Sequence, residues 1–352
     1  MERLAWSWSF WIAAALAAFA ISAVSTWLAI GYARKRRLID EPGVRRSHST
    51  PTPRGGGIGI VIAVVVAACI PAMMRPPTSI GAAVMLTVAI VIVASVGWID
   101  DHRGLSARAR FAAHCVAAVL FLLPVIAAVA LSPDAVEEQF ATSVSTVWIS
   151  LVVIVLAIVW FVNLHNFMDG IDGILAAQAI FVLAALALVC RHVGEPHAGE
   201  ILVFAGAAAG FLPFNFPRAR IFMGDVGSGA IGYAVAGIGA LAATGLDAWH
   251  APLLLIPLAA FMVDSSLTLL RRVRRGERWW TPHTQHAYQV WARRAGHVRV
   301  TLAYAIFTLL SLVSLHLVTE VRIGFILCMG GGWYISAAFF WWLIQRTERS
   351  AA

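Results

Sequence analysis

Residues 146–190 read TVWISLVVIVLAIVWFVNLHNFMDGIDGILAAQAIFVLAALALVC, and their alternation of greasy and polar decides the fold. An apolar run over 146–163 approaches the about 20 residues that a helix needs to cross a bilayer. The polar island NLHNFMDGIDG (163–173) follows, and a second apolar run occupies 173–190. The same alternation extends in both directions. Apolar runs recur at 8–32, 57–74, 80–98, 110–131, 199–214, 229–245, 251–270, 301–319 and 322–345. With the two quoted runs this predicts an all-α polytopic integral membrane protein of about eleven spans, in the range ten to twelve. Of 352 residues, 60% are hydrophobic and 12% charged, with a mean hydropathy of +0.81. A soluble protein carries about 25% charged residues, so a soluble class is excluded. No stretch between the runs is long enough for a separate soluble domain, and 1–352 reads as a single integral-membrane domain.

Orientation follows from the cations, because loops on the cytoplasmic side carry an excess of Lys and Arg. With the N-terminus outside, the loops at about 33–56, 99–110, 164–172, 215–228 and 271–300 fall inside. Together with the inner helix ends and the tail they then hold 22 of the 26 cations, leaving Arg3, Arg75, Arg191 and Arg322 outside. The bias places every chemically rich island on one face. Ala18-Phe19-Ala20 resembles a signal-cleavage site, but the apolar run continues to Tyr32, so an uncleaved first span is expected. Cys69, Cys115, Cys190 and Cys328 lie inside spans without paired spacing and read as small apolar side chains. The net charge of +8 does not point to nucleic acid: the arginines flank span ends, where they meet anionic headgroups.

Five islands carry the chemistry: DEPGVRRSHSTPTPRGGG (40–57), GWIDDHRGLSARAR (97–110), NLHNFMDGIDG (163–173), FNFPRARIFMGDVGS (214–228) and RRVRRGERWWTPHTQHAYQ (271–289). Asp100 and Asp101 end a span, where the helix dipole disfavours carboxylates. A metal ion, or Arg103, Arg108 and Arg110, must offset them; a solvated turn is the bland alternative. Asn163, Asn166, Asp169 and Asp172 recur every three residues and share a helical face. Helix capping would need only one of them, and the register of a calcium loop is absent. Asn215 and Phe222-Met223-Gly224-Asp225-Val226-Gly227-Ser228 precede another span, where phosphate and a divalent cation could meet at a helix N-terminus; Asp225 as a simple N-cap competes. Gly227-x-Gly229-x-x-Gly232 matches a dinucleotide fingerprint by chance, since no βαβ unit surrounds it. His283 and His286 lack a third zinc ligand and suit an anion. Arg45, Arg46, His48, Arg54 and the amides of Gly55-Gly56-Gly57 repeat that theme. Asp264, inside a span, reads as a structural acid partnered by Arg271 or Arg272.

Taken in order, these pieces resemble the polyprenyl-phosphate N-acetylhexosamine-1-phosphate transferases, the MraY and WecA superfamily of glycosyltransferase family 4. The quotable matches are Asp40-x-Pro42 with Arg46-x-His48 and Pro51-x-Pro53-Arg54-Gly55-Gly56; Gly97-x-x-Asp100-Asp101; Asn163-x-x-Asn166-x-x-Asp169-Gly170-x-Asp172-Gly173; and Phe222-Met223-Gly224-Asp225-x-Gly227-Ser228. The last loop, His283-x-x-His286-x-Tyr288-Gln289, departs from the His triplet of several branches and resembles the WbpL-like branch, which starts O-antigen and related polysaccharides.

The resemblance implies transfer of an N-acetylamino-sugar 1-phosphate from a UDP-sugar to undecaprenyl phosphate, releasing UMP, with Mg2+ or Mn2+ as cofactor. It implies Asp225 as the main metal ligand, Asp100 as base and second ligand, and Asp101 as their support. Asn166, Asp169, Asp172 and Asn215 would contact the nucleotide, and His283, His286, Arg46, His48 and Arg54 the phosphates. The implied partners are the UDP-sugar, undecaprenyl phosphate and the bilayer of a bacterial inner membrane, with the active site facing the cytoplasm and a homodimer compatible. A secondary transporter is the competing class, but it should show internal repeats and mid-bilayer breaks, and none stands out.

Overall fold

The computed structural model describes residues 7–43, 50–74, 81–134, 137, 143–192, 198–244, 246, 251–278, 280–281, 283–318 and 323–349. Helices run in the order α1 (Trp8–Arg36), α2 (Ile58–Met74), α3 (Gly81–Arg103), α4 (Ala107–Leu131), α5 (Val144–Phe167), α6 (Ile174–His192), α7 (Ala198–Asn215) and α8 (Asp225–Thr244). A 3-10 turn, Ala251–Leu258, leads into α9 (Ala259–Arg274), followed by α10 (Ala287–Ala295), α11 (His297–Val318) and α12 (Ile323–Arg349). Ten helices among the described residues are long and apolar enough to cross a membrane, and this is a multi-pass membrane protein. The expected second span is α2, a helix of 17 residues.

The helices run further into the polar islands than hydropathy alone predicts. Helix α3 continues to Arg103, so Asp100 and Asp101 sit in its last turns, and α8 begins at Asp225 rather than after it. Hydrogen bonding ends a helix where the backbone is capped, whereas hydropathy ends where the side chains turn polar. Ser106 shows the difference: its Oγ accepts the amide of Ala109 at 3.2 Å and starts α4 ahead of its apolar stretch. The loop expected over 271–300 contains α10, which buries Ala287, Tyr288, Val290 and Ala292.

Helix α8 packs between α3 and α5, and α1 lies along α7. A side chain on Gly206 would meet the carbonyl oxygen of Ala15 at 2.3 Å, and one on Gly210 that of Phe19 at 2.2 Å. Small residues four apart let two membrane helices approach backbone to backbone, where dispersion rather than water exclusion drives association. Gln178, buried inside the bundle, is paired on both sides: it donates to the Pro257 carbonyl at 3.1 Å and accepts from Thr308 Oγ1 at 2.7 Å. Large apolar side chains such as Leu16, Ile149 and Ile335 face outward, as a bilayer solvent requires.

Candidate functional site

Hydrogen bonds tie the islands together at one end of the bundle. Gly56 and Gly57 donate to the carbonyls of Phe222 and Met223, each at 2.9 Å. Asn215 accepts the amide of Gly173 at 2.8 Å, and Tyr288 Oη donates to the Phe167 carbonyl at 2.8 Å. Islands far apart in sequence therefore share one polar face. Ile39–Asp40 pairs antiparallel with Thr52–Pro53, and the Pro53 carbonyl accepts the amide of Phe222 at 2.8 Å.

At the centre lies an acid pair with one cation wedged into it. Arg110, in the first turn of α4, places one guanidinium nitrogen 2.7 Å from Asp100 Oδ2 and 2.8 Å from Asp225 Oδ2. Asn166, at the end of α5, donates to the other oxygen of Asp225 at 2.8 Å and to Ser228 Oγ at 3.1 Å. Asp100 also accepts the amide of Leu105. Two helix ends and two helix starts thus aim polar groups at a single point. Of the three arginines weighed against Asp100, the structure selects Arg110; Arg103 and Arg108 are exposed.

Asp101, named with the catalytic acids as the support of Asp100 and Asp225, gives that support through the backbone. Its carboxylate is buried and accepts the amides of Asp225 and Val226, each at 3.2 Å. It therefore caps α8 from another helix, and Asp225 is the first residue of that helix rather than its own N-cap. Gly224 makes the approach feasible, because its φ is +75° and a side chain there would sit 2.5 Å from Asp101 Oδ2. Gly97 serves the same junction: a side chain on it would lie 2.3 Å from the Asp225 carbonyl oxygen. Arg54 closes the other side by donating to the Asp101 carbonyl.

Asp169 stands in the turn after α5. Burial raises its pKa well above the ordinary carboxylate value, and the charges of Asp225 and Asp101 push it the same way. Two other residues expected to contact the nucleotide, Asn215 and Asp172, also bond within the protein. Asn215 is 3% exposed and its amide bridges Gly173 to the Ile221 carbonyl at 2.9 Å. Asp172 lies 3.2 Å from His297 Nδ1, and its carbonyl accepts from Thr301 at 2.7 Å, which fastens the loop to α11. The amides of Gly56 and Gly57, expected to add to an anion site, are likewise taken by carbonyls. Arg45, Arg46 and His48 lie outside the described residues.

The histidine loop has its own foundation. Asp264 is buried as expected of a structural acid, but its partners are not Arg271 or Arg272. It accepts the amides of Ala287 at 2.8 Å and Tyr288 at 3.0 Å, and the Tyr304 hydroxyl at 2.9 Å. Like Asp101, it caps a helix from elsewhere in the chain. His286 packs beneath His283, ring centroids 4.8 Å apart, and is itself buried with Nδ1 3.6 Å from Asp264. Burial lowers the pKa of His283 to about 4, helped by the neighbouring His286 and Arg272. Arg272 holds the loop from below, donating to Glu277 at 2.9 Å and to the carbonyls of Arg278 and Thr281 at 3.0 and 3.1 Å. Arg272 and Gln285 hold the Glu277 carboxyl below its ordinary range.

Among the described residues no three His, Cys, Asp or Glu side chains converge as a ready metal cage. Magnesium does not ask for one: it takes one or two carboxylates and completes its shell with water and substrate phosphate. Asp100 and Asp225 fit that donor set, and the Arg110 nitrogen between their oxygens marks the spot where positive charge is needed.

Comparison with known proteins identifies the family. The model of glycosyl transferase family 4 matches residues 83–243, which span α3 to α8. The decaprenyl-phosphate N-acetylglucosaminephosphotransferase of Mycobacterium tuberculosis (strain ATCC 25618 / H37Rv) is 33% identical over 298 residues, covering 76% of this chain and 73% of that protein. The probable undecaprenyl-phosphate N-acetylglucosaminyl 1-phosphate transferase of Bacillus subtilis (strain 168) is 28% identical over 254 residues, 71% of this chain and 68% of that one. A phospho-N-acetylmuramoyl-pentapeptide-transferase of Lacticaseibacillus paracasei is 30% identical over 234 residues, 62% of this chain and 71% of its own. The chain belongs to glycosyl transferase family 4, in the superfamily of polyprenyl-phosphate N-acetylhexosamine-1-phosphate transferases that includes MraY and WecA. It is a membrane-embedded sugar-phosphate transferase.

Proposed function

We propose that the whole chain is one transferase domain that moves an N-acetylamino-sugar 1-phosphate from a UDP-sugar to undecaprenyl phosphate. The products are undecaprenyl-diphosphate-sugar and UMP, and the reaction starts an O-antigen or related envelope polysaccharide. The polar face is read as cytoplasmic in a bacterial inner membrane, because the Arg-rich loops lie there. The names of the mycobacterial and Bacillus relatives support N-acetylglucosamine as the sugar. The observation that carries the reading is the acid pair Asp100 and Asp225 held around one Arg110 nitrogen at the meeting of α3, α4, α5 and α8.

The acceptor phosphate and the donor diphosphate repel each other, so the site must supply cations and hold both in line. Asp225 and Asp100 would hold magnesium. When bound, that ion supplies charge against the diphosphate and eases the departure of UMP. An oxygen of the acceptor phosphate attacks the sugar-linked phosphorus directly, and the bond to the bridging oxygen of UMP breaks. Asp100 keeps the acceptor dianionic; with a second ionisation near pH 6, a phosphate monoester needs little help, so the role is mostly positional. Asn166 fixes the rotamer of Asp225, and Arg110 balances the pair before substrates arrive. Asp169 faces the nucleotide side, and His283 with Arg54 flanks the diphosphate. A transporter would place its polar site near mid-bilayer, whereas these groups gather at helix ends.

Labelled UMP exchanging into UDP-N-acetylglucosamine tests the reading. Exchange in membranes containing the protein should require magnesium and undecaprenyl phosphate, and Asp225→Asn should abolish it while the protein still inserts. Near-normal exchange by that variant removes Asp225 from the site.

A further inference from the structure

An apolar groove of about 1010 Å³ opens between α9, α10, α11 and α12, away from the acid pair. Its length is walled by Ile306, Phe307 and Leu310 of α11 and by Phe340, Leu343 and Ile344 of α12. Ile306 is 53% exposed and Phe340 55%, so this wall faces the hydrocarbon of the bilayer. The volume lies at the upper end for small-molecule pockets, which run to roughly 1,000 Å³. Both cations that line it lie at one end, while the one acid in the lining, Asp264, is buried with its oxygens taken by the amides of Ala287 and Tyr288. Arg294, near the end of α10, and Arg299, in the first turn of α11, both line the groove there and are exposed. Arg294 is fixed in place by donating to the Thr347 carbonyl at 2.9 Å, at the end of α12. A cation such as Arg299 in the first turn of a helix opposes the dipole, and an anion beside it removes that conflict. Trp291 and Trp341 also line the groove, of the residue type that sits at headgroup level.

A long apolar trough with two arginines at its interfacial end matches an anionic amphiphile. We propose that this groove binds one anionic phospholipid of the surrounding bilayer. Its phosphate lies between Arg294 and Arg299 and one acyl chain follows α11 and α12. The polyprenyl acceptor is the poorer fit, since it must present its phosphate to Asp100 and Asp225, which stand on α3 and α8, and neither helix lines the groove. The site reaches the histidine loop mechanically. Asp264 and Tyr304 line the groove, and Asp264 is the acid that accepts the amides of Ala287 and Tyr288 directly after His286. A lipid seated there braces the segment carrying His283 and His286. Binding itself does not depend on the function proposed above.

Native mass spectrometry of the purified full-length protein, with phosphatidylglycerol and phosphatidylcholine competing, reads occupancy without reading activity. Wild type should retain one phosphatidylglycerol in preference to phosphatidylcholine. The double variant Arg294→Gln/Arg299→Gln should lose about tenfold of that preference, the scale of two interfacial cations acting on one anionic headgroup. Ala303→Trp, which fills the groove and keeps both arginines, should lose the bound lipid altogether. Equal retention of both lipids by wild type overturns the proposal, and this arm needs no variant to fold. Unchanged phosphatidylglycerol binding in folded variants overturns it too. So does stoichiometric displacement by undecaprenyl phosphate, which makes the groove an acceptor site.

Discussion

The carboxylate of Asp101 accepts the backbone amide of Asp225 at 3.2 Å, joining the end of α3 to the start of α8. The second oxygen takes the next amide, so both oxygens are occupied by the helix that presents Asp225. Neighbouring acids thus have separate partners: Asp100 pairs with Arg110, while Asp101 aims α8.

This division predicts a difference between substitutions. Asp101→Ala removes a helix cap worth about 0.5–2 kcal/mol and leaves buried amides unpaired at a further cost of about 1–3 kcal/mol. Its thermal unfolding temperature should fall and transfer should fall with it. Asp101→Asn keeps one acceptor oxygen and should recover part of both. Asp100→Asn, by contrast, should lower transfer with little change in unfolding temperature. An Asp101→Asn protein as stable as wild type but inactive would give Asp101 a chemical role.

Arg110 makes the second prediction. Without it, Asp100 and Asp225 present uncompensated charge to the divalent ion, so Arg110→Ala should need a lower magnesium concentration for half-maximal UMP exchange. Arg110→Lys, a point charge without the planar fork, should fall between. Chelating the divalent ion should stop exchange in all three proteins. A magnesium dependence identical in wild type and Arg110→Ala would separate the arginine from the metal site.

Part of this arrangement is legible in the sequence. The bilayer period of the apolar runs and the one-sided arginines are global patterns, and they place the islands on one face. Asp100 stands out because an acid at the C-terminal end of a span demands compensation, and Asp225 because it sits beside glycines at a helix start where phosphate and a cation could meet. The tasks of Asp101, Asp264 and Asn215 are hidden for a physical reason: each caps or bridges backbone far away in the chain, whereas sequence rules for caps consider only neighbours. A signal was present. Gly224 precedes α8 and His286 precedes α10, so neither helix brings a Ser, Thr, Asp or Asn cap of its own. Such a helix start borrows acceptors for its first amides, and a buried acid of another helix supplies them at both sites, in α10 beside the local Gln289 contact to the His286 amide at 3.4 Å. Nothing local singled out Arg110 from Arg103 and Arg108, since only the packing of α4 beside α3 and α8 separates them.

Gly97 gives a third prediction. A methyl group there would meet the Asp225 carbonyl at 2.3 Å, and that carbonyl belongs to backbone, which yields less readily than a side chain. Overpacking of this kind costs about 1–3 kcal/mol. Gly97→Ala should therefore lower the unfolding temperature and displace Asp225, reducing exchange more than Gly239→Ala, where a methyl group meets nothing within 4 Å. Equal behaviour of the two variants would show that α3 and α8 can separate without consequence for the site.

The last prediction concerns pH. In the folded chain the pKa of His283 is lowered to about 4, while in the unfolded chain it returns to its ordinary 6.5. Between these values the unfolded chain binds a proton that the folded one refuses, and stability rises with pH wherever that holds. Stability is therefore unaffected by His283 above pH 6.5 and decreases as pH falls through the window down to about 4. The cause is burial, reinforced by the charges of His286 and Arg272, so the decrease should be local to this loop. His283→Gln removes the titrating ring and should flatten the difference between unfolding temperatures measured near about pH 7 and about pH 5. The neutral ring also suits the place beside the diphosphate proposed for it: at neutral pH it offers one N–H as a donor without competing with Arg110 for the acids. A His283→Gln protein with the same acid sensitivity as wild type would place the titration elsewhere, and the loop would then owe its pH response to another group.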